Sequence, residues 1–141
     1  MAERQFKGME SPKGLEIPPL QTRVSKLRMM MYAAATWNPY QLHWDSDYSK
    51  THGFLDANIA GPMFGDYLAE MLVRWAGNPA NLKSLEYTNR AMAFPEDTII
   101  CKGKMEEKLK EGENTFLRCH VWVENQEGRI LAEGKAVLSF A

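Results

Sequence analysis

The chain has 141 residues, of which 45% are apolar and 25% charged, with a net charge of −1; a single domain of that length buries roughly 68–70% of its unfolded surface. That balance is globular and offers no field for gathering nucleic acid or an anionic membrane. Cys101 and Cys119 are too few for a disulfide framework, and neither a signal segment nor a stretch of the ~18 apolar residues a membrane span needs is visible, so a cytoplasmic protein is expected.

Residues 1–21 carry Gly8, Pro12, Gly14, Pro18 and Pro19 among charged side chains and keep no steady period. This predicts an extended N-terminal arm running over the surface or onto a partner, with the domain proper over 22–141. From Thr22 the spacing of Val24, Leu27, Met31 and Ala35 predicts a helix, with Thr22 or Ser25 as N-cap. The helix should stop at Asn38 and Pro39, because proline pushes the preceding residue out of helical geometry. Asn38 is then left in an extended or turn conformation with its side chain free for other work. Asp45 is placed to cap a short helix through Tyr48.

A second, clearer helix follows Gly61 and Pro62. Met63, Phe64, Tyr67, Leu68, Met71, Leu72 and Trp75 make one broad apolar stripe, and Gly77, Asn78 and Pro79 supply the stop. Beyond it the texture is that of strands, over Leu82 to Phe94, Asp97 to Lys108, Asn114 to Asn125 and Arg129 to Phe140, with turns at Gly112 and Gly128. Leu117, Cys119, Val121 and Val123 alternate onto one face. Long consecutive strands behind one apolar helix predict an α+β fold, a curved antiparallel sheet wrapped around a central helix.

Several residues stand out for chemistry, although each has a plain structural reading. Asn38 with Pro39 is a common turn dipeptide, a lone His43 is most often a hydrogen-bonded turn residue, and Gly61 with Pro62 is an ordinary helix opening. His52 and His120 lack metal-ligand spacing to each other or to the cysteines, so no metal site is expected. The charged run from Lys102 to Glu113 reads as a solvated hairpin. What raises the chemical reading is the order in which these residues come.

The texts NPYQLHWD and IAGP, in the order helix, polar turn, glycine-opened helix and strand meander, resemble the MaoC-like hotdog dehydratases over nearly the whole chain from Thr22. That family typically reads Asp, any residue, Asn, Pro, an aliphatic residue, His, any residue, Asp, and later an aliphatic residue, Ala, His, Gly. Aligned on His43 and Asp45 without a gap, Asn38 stands where the family has its catalytic Asp. WAG near the end of the helix, LKS at the next strand and DT at the one after it are similar to small subunits of steroid side-chain enoyl-CoA hydratases. The spacing of Thr36, Asn38 and His43, with Gly-Pro at the helix start, is similar to mesaconyl-CoA-type hydratases.

The resemblance implies a hotdog fold and reversible hydration of a 2-enoyl-CoA thioester to the 3-hydroxyacyl thioester, with coenzyme A as carrier and no metal or redox cofactor. Such chemistry needs a base for water, a proton for the α-carbon and donors for the enolate oxygen. His43 is the motif's proton carrier near neutrality. The Asn38 amide can accept from and donate to a water and so orient it. The Gly61 amide, at a helix N-terminus, can stabilise the thioester oxygen. Pro39, Asp56, Pro62 and Met63 are expected to line the substrate site, and Met29, Met30, Met31, Met63 and Met71 suggest an irregular apolar pocket. The same resemblance implies a homodimer, or a heteromer with a second MaoC-like subunit. Two other readings stay open: a catalytically silent acyl-CoA-binding subunit, because Asn38 replaces a carboxylate, and a hotdog thioesterase using Asp66 or Glu70.

Overall fold

A computed structural model describes residues 14–77 and 80–140. Five strands form one antiparallel sheet: β1 (Glu16–Arg23), β2 (Asn81–Asn89), β3 (Thr98–Glu111), β4 (Asn114–Glu124) and β5 (Ile130–Phe140), in the spatial order β1-β3-β4-β5-β2. Three helices precede β2, namely α1 (Lys26–Ala35), α2 (Ser46–Thr51) and α3 (Gly61–Ala76), with a 3₁₀ turn at Gln41–His43. Register shifts in β2, β3 and β5 place bulges that curve the sheet around α3. This is the expected hotdog arrangement.

The core forms where the stripe of α3 meets the concave face of the sheet. Met63, Phe64, Leu68, Met71, Leu72 and Trp75 are buried, against Leu117, Cys119, Val121 and Val123 of β4 and Leu131, Ala136 and Leu138 of β5. Only a glycine fits at position 65, since a Cβ there would stand 2.5 Å from the Tyr87 hydroxyl of β2. Gly77 closes α3 at φ 67°, its amide bonded to the carbonyl of Val73; the other two expected stop residues, Asn78 and Pro79, lie outside the described residues. No helix among the described residues is long and apolar enough to cross a membrane.

The structure departs from expectation in three places. Glu16–Arg23 is not an arm: it pairs antiparallel with β3 and crosses the expected boundary at residue 21. Pro18 and Pro19 are accommodated because the register shifts between Ile17 and Leu20 on an edge strand, where a missing amide hydrogen breaks no interior ladder. The rest of the expected arm, residues 1–13, lies outside the described residues. Second, although Ser25 caps α1 as one of the two expected residues, the helix starts only at Lys26 and buries Met29 and Ala33, whereas Leu27 and Met31 are 66% and 62% exposed. Third, β2 ends at Asn89, and 90–97 is a loop in which the Asp97 carboxylate accepts from the Phe94 amide at 2.8 Å.

Candidate active site

The site begins where α1 ends. Helix C-termini usually turn through a left-handed glycine, but here that position is Trp37, at φ 54° and 89% exposed. Its amide bonds to the Ala34 carbonyl at 3.2 Å and that of Asn38 to the Ala33 carbonyl at 2.9 Å, the double closure of a Schellman motif. A side chain in that region costs on the order of 1 kcal/mol. The consequence is positional, because Asn38 leaves the helix at a fixed point and Pro39 holds the chain extended behind it.

The 3₁₀ turn then delivers His43, whose amide bonds to Tyr40 at 3.0 Å. Its ring Nδ1 lies 3.0 Å from the carbonyl of Asn58. A carbonyl only accepts, so Nδ1 carries the hydrogen and Nε2 is left to exchange a proton. The Tyr40 ring and the imidazole stand nearly perpendicular with centroids 5.6 Å apart. The Asn58 amide returns a bond to the Leu42 carbonyl at 2.8 Å, and Trp44 Nε1 bonds to the Pro39 carbonyl at 3.1 Å, so the turn is stitched both to itself and to the loop before α3. Asn58 is buried, and its side-chain amide has no hydrogen-bond partner among the described residues. Asp45 caps α2 as expected, accepting from the Tyr48 amide at 3.0 Å.

Asn38 and His43 come together in one cleft, walled by Tyr32, Ala33, Ala60 and Met63. Gly61 opens α3 directly after Ala60; no side chain caps this helix, Pro62 has no amide hydrogen and the Met63 amide bonds to the Ala60 carbonyl at 2.9 Å, so the Gly61 amide stands at the positive end of the dipole. Tyr87 of β2 donates to the Gly61 carbonyl at 3.1 Å, fixing that turn to the sheet.

The remaining expected residues divide. Met63 is buried in the cleft wall, whereas Pro62 is exposed. Pro39 lies instead in a separate apolar hollow of about 280 Å³ with Met30, Trp37 and Trp44. Asp56 does not reach the cleft: its carboxylate is occupied by the Ser46 side chain and by the Ala57 amide at 2.7 Å, and these bonds hold it below the usual carboxylate range. Of the two α3 carboxylates, Asp66 accepts from the Tyr32 hydroxyl and Glu70 pairs with Arg74. His52 stacks on Tyr48 and His120 on Trp122. Among the described residues no three His, Cys, Asp or Glu side chains converge as a metal set. Burial pushes both cysteine thiols up to about 12.

Two contributors were not singled out from sequence. Asn58 acts through its backbone carbonyl, which leaves no trace in residue type. Tyr32 does have a signal, since it shares helical spacing with Met29 and Ala33.

Comparison with known proteins places this fold. A hydroxyacyl-thioester dehydratase from Saccharomyces cerevisiae, named as type 2 and mitochondrial, is 27% identical over 81 residues, which are 56% of this chain and 28% of that protein. The chain therefore spans little more than a quarter of that relative. In fold it is similar to a chain of the ChsH1-ChsH2 complex from Mycobacterium tuberculosis, with TM-score 0.82 at 20% identity over 94% of this chain and 100% of that one. It is likewise similar to an (R)-hydratase from A. caviae involved in PHA biosynthesis, with TM-score 0.83 at 15% identity over 93% and 98%. The profile of the hydroxyacyl-thioester dehydratase type 2 family matches residues 4–95, most of the chain and all of the cleft, and the chain belongs to that family.

Proposed function

We propose that the chain adds water reversibly across the double bond of 2-enoyl-CoA thioesters. The observation that carries this reading is the orientation of His43: with Nδ1–H on the Asn58 carbonyl, Nε2 remains for proton exchange in the cleft that Asn38 shares. Nε2 takes a proton from a water oriented by the Asn38 amide, and the water oxygen bonds to the β-carbon. The double-bond electrons move through the α-carbon onto the thioester oxygen, where the Gly61 amide and the N-terminus of α3 stabilise the enolate. The imidazolium then returns its proton to the α-carbon, giving the 3-hydroxyacyl thioester. One water is added in all and no electron is gained or lost, so the balance asks for no redox cofactor. Coenzyme A serves as carrier.

Two features of the site bear on the rival readings. The cleft has no carboxylate in its wall, which is the observation that favours a silent subunit completed by a second MaoC-like chain. The α3 carboxylates are engaged with Tyr32 and Arg74 outside the cleft, which weighs against a thioesterase. β2 is an edge strand and is available for a homodimer or a heteromer. A cytoplasmic location belongs to this reading, and cell fractionation tests it.

The assay follows enoyl absorbance and free thiol together on an acyl-CoA panel. Hydration removes the absorbance without thiol release, and His43→Ala lowers the rate by roughly 10²–10⁴-fold. Thiol release with the double bond intact refutes the hydratase. Hydration that appears only with Asn38→Asp identifies a silent half.

A further inference from the structure

The apolar residues that α1 turns away from the core line a second cavity. Leu27, Met31 and Ala35 of α1 face Asp66 and Tyr67 of α3 across an open groove of about 570 Å³. Tyr32 and Met63 line both this groove and the cleft that holds Asn38 and His43, so the two volumes share one wall. On the groove side there is room for many methylenes. Tyr32 is held in the wall by its hydrogen bond to Asp66, which ties α1 to α3 at the boundary.

We propose that the groove receives the apolar acyl tail of the thioester and that Tyr32, latched on Asp66, is the specificity-determining residue that limits how bulky that tail can be. This rests on the hydratase reading and adds the substrate class: neutral acyl groups longer than crotonyl, with the reacting carbons in the cleft and the tail along Leu27 and Met31. Continuity of groove and cleft through Tyr32 and Met63 is what singles out this occupant. Tyr32 and Met63 are the side chains common to both linings, and methionine yields where a latched tyrosine does not.

The test compares crotonyl-, 2-octenoyl- and 2-hexadecenoyl-CoA by loss of enoyl absorbance, with the saturated butyryl- and octanoyl-CoA titrated by tryptophan fluorescence as a readout independent of turnover. In the wild type kcat/KM rises at least 10-fold from crotonyl to octenoyl, and octanoyl-CoA binds more tightly than butyryl-CoA by a similar factor. Met31→Lys, at an exposed site that tolerates a charge, cuts both ratios about 10-fold. Tyr32→Ala raises the hexadecenoyl to octenoyl ratio at least 10-fold, and Tyr32→Phe, which removes only the latch, moves it less in the same direction. Ratios unmoved by Met31→Lys overturn the groove, and a hexadecenoyl to octenoyl ratio unmoved by both Tyr32 variants overturns the gate. Chain-length-dependent binding without any hydration would sink the hydratase reading and leave the groove standing.

Discussion

α1 and α3 are both amphipathic helices of one small domain, yet they use their apolar residues in opposite ways. In α3 the stripe from Met63 to Trp75 is almost wholly buried and decides where the sheet can close. In α1 only Met29 and Ala33 are buried, and Leu27 and Met31 stand more than half exposed beside a groove. α3 makes the core with one face and lines the groove with another, whereas α1 gives more of its apolar side chains to the groove than to the core. The Asn38 and His43 cleft lies at their meeting point, between Tyr32 and Ala33 of α1 and Met63 of α3.

The contrast can be broken most severely at Leu68, a fully buried residue of α3. Leu68→Ala should destabilise by about 2–5 kcal/mol, read as a shift of the urea midpoint at unchanged slope, because a cavity is added to the lost transfer energy. A loss under 1 kcal/mol would mean that α3 is not the central packing element. Between the two helices, Asp45→Ala removes the cap of α2 and should cost about 1 kcal/mol. At the other extreme Leu27→Ser should leave stability within about 0.5 kcal/mol of wild type, as a surface exchange does. A drop comparable to that of Leu68→Ala would show that the exposed face of α1 is core after all, covered by a partner.

The same contrast explains what the sequence made legible. For α3 the periodicity had only one solution, and glycine and proline marked its opening, so its position and buried face follow from pattern alone. For α1 the run Met29, Met30, Met31 lets two helical phases fit. The phase through Val24, Leu27 and Met31 looked longer because Val24 is itself buried, although it lies before the helix. β1 was hidden by Pro18 and Pro19, which read as loop until an edge strand with a register shift is seen to hold them. In the site, Asn38 and His43 were legible as a pair because a turn brings near neighbours together. Asp56 was misplaced because its spacing says nothing of Ser46, and the role of Asn58 rests on a backbone atom.

The two prolines of β1 also bear on how copies of this chain can grow. A sheet with two open edges invites head-to-tail addition, which has no natural end and leads to fibres. Here one edge is β1, which carries two residues without an amide hydrogen, Pro18 and Pro19, and the other is β2, which has no proline. Head-to-tail stacking needs both edges and is therefore disfavoured. Pairing of β2 with β2 about a two-fold axis uses only the competent edge and leaves only the proline-bearing edges outside. Residues 18 and 19 thus bias any strand addition toward β2 and away from β1.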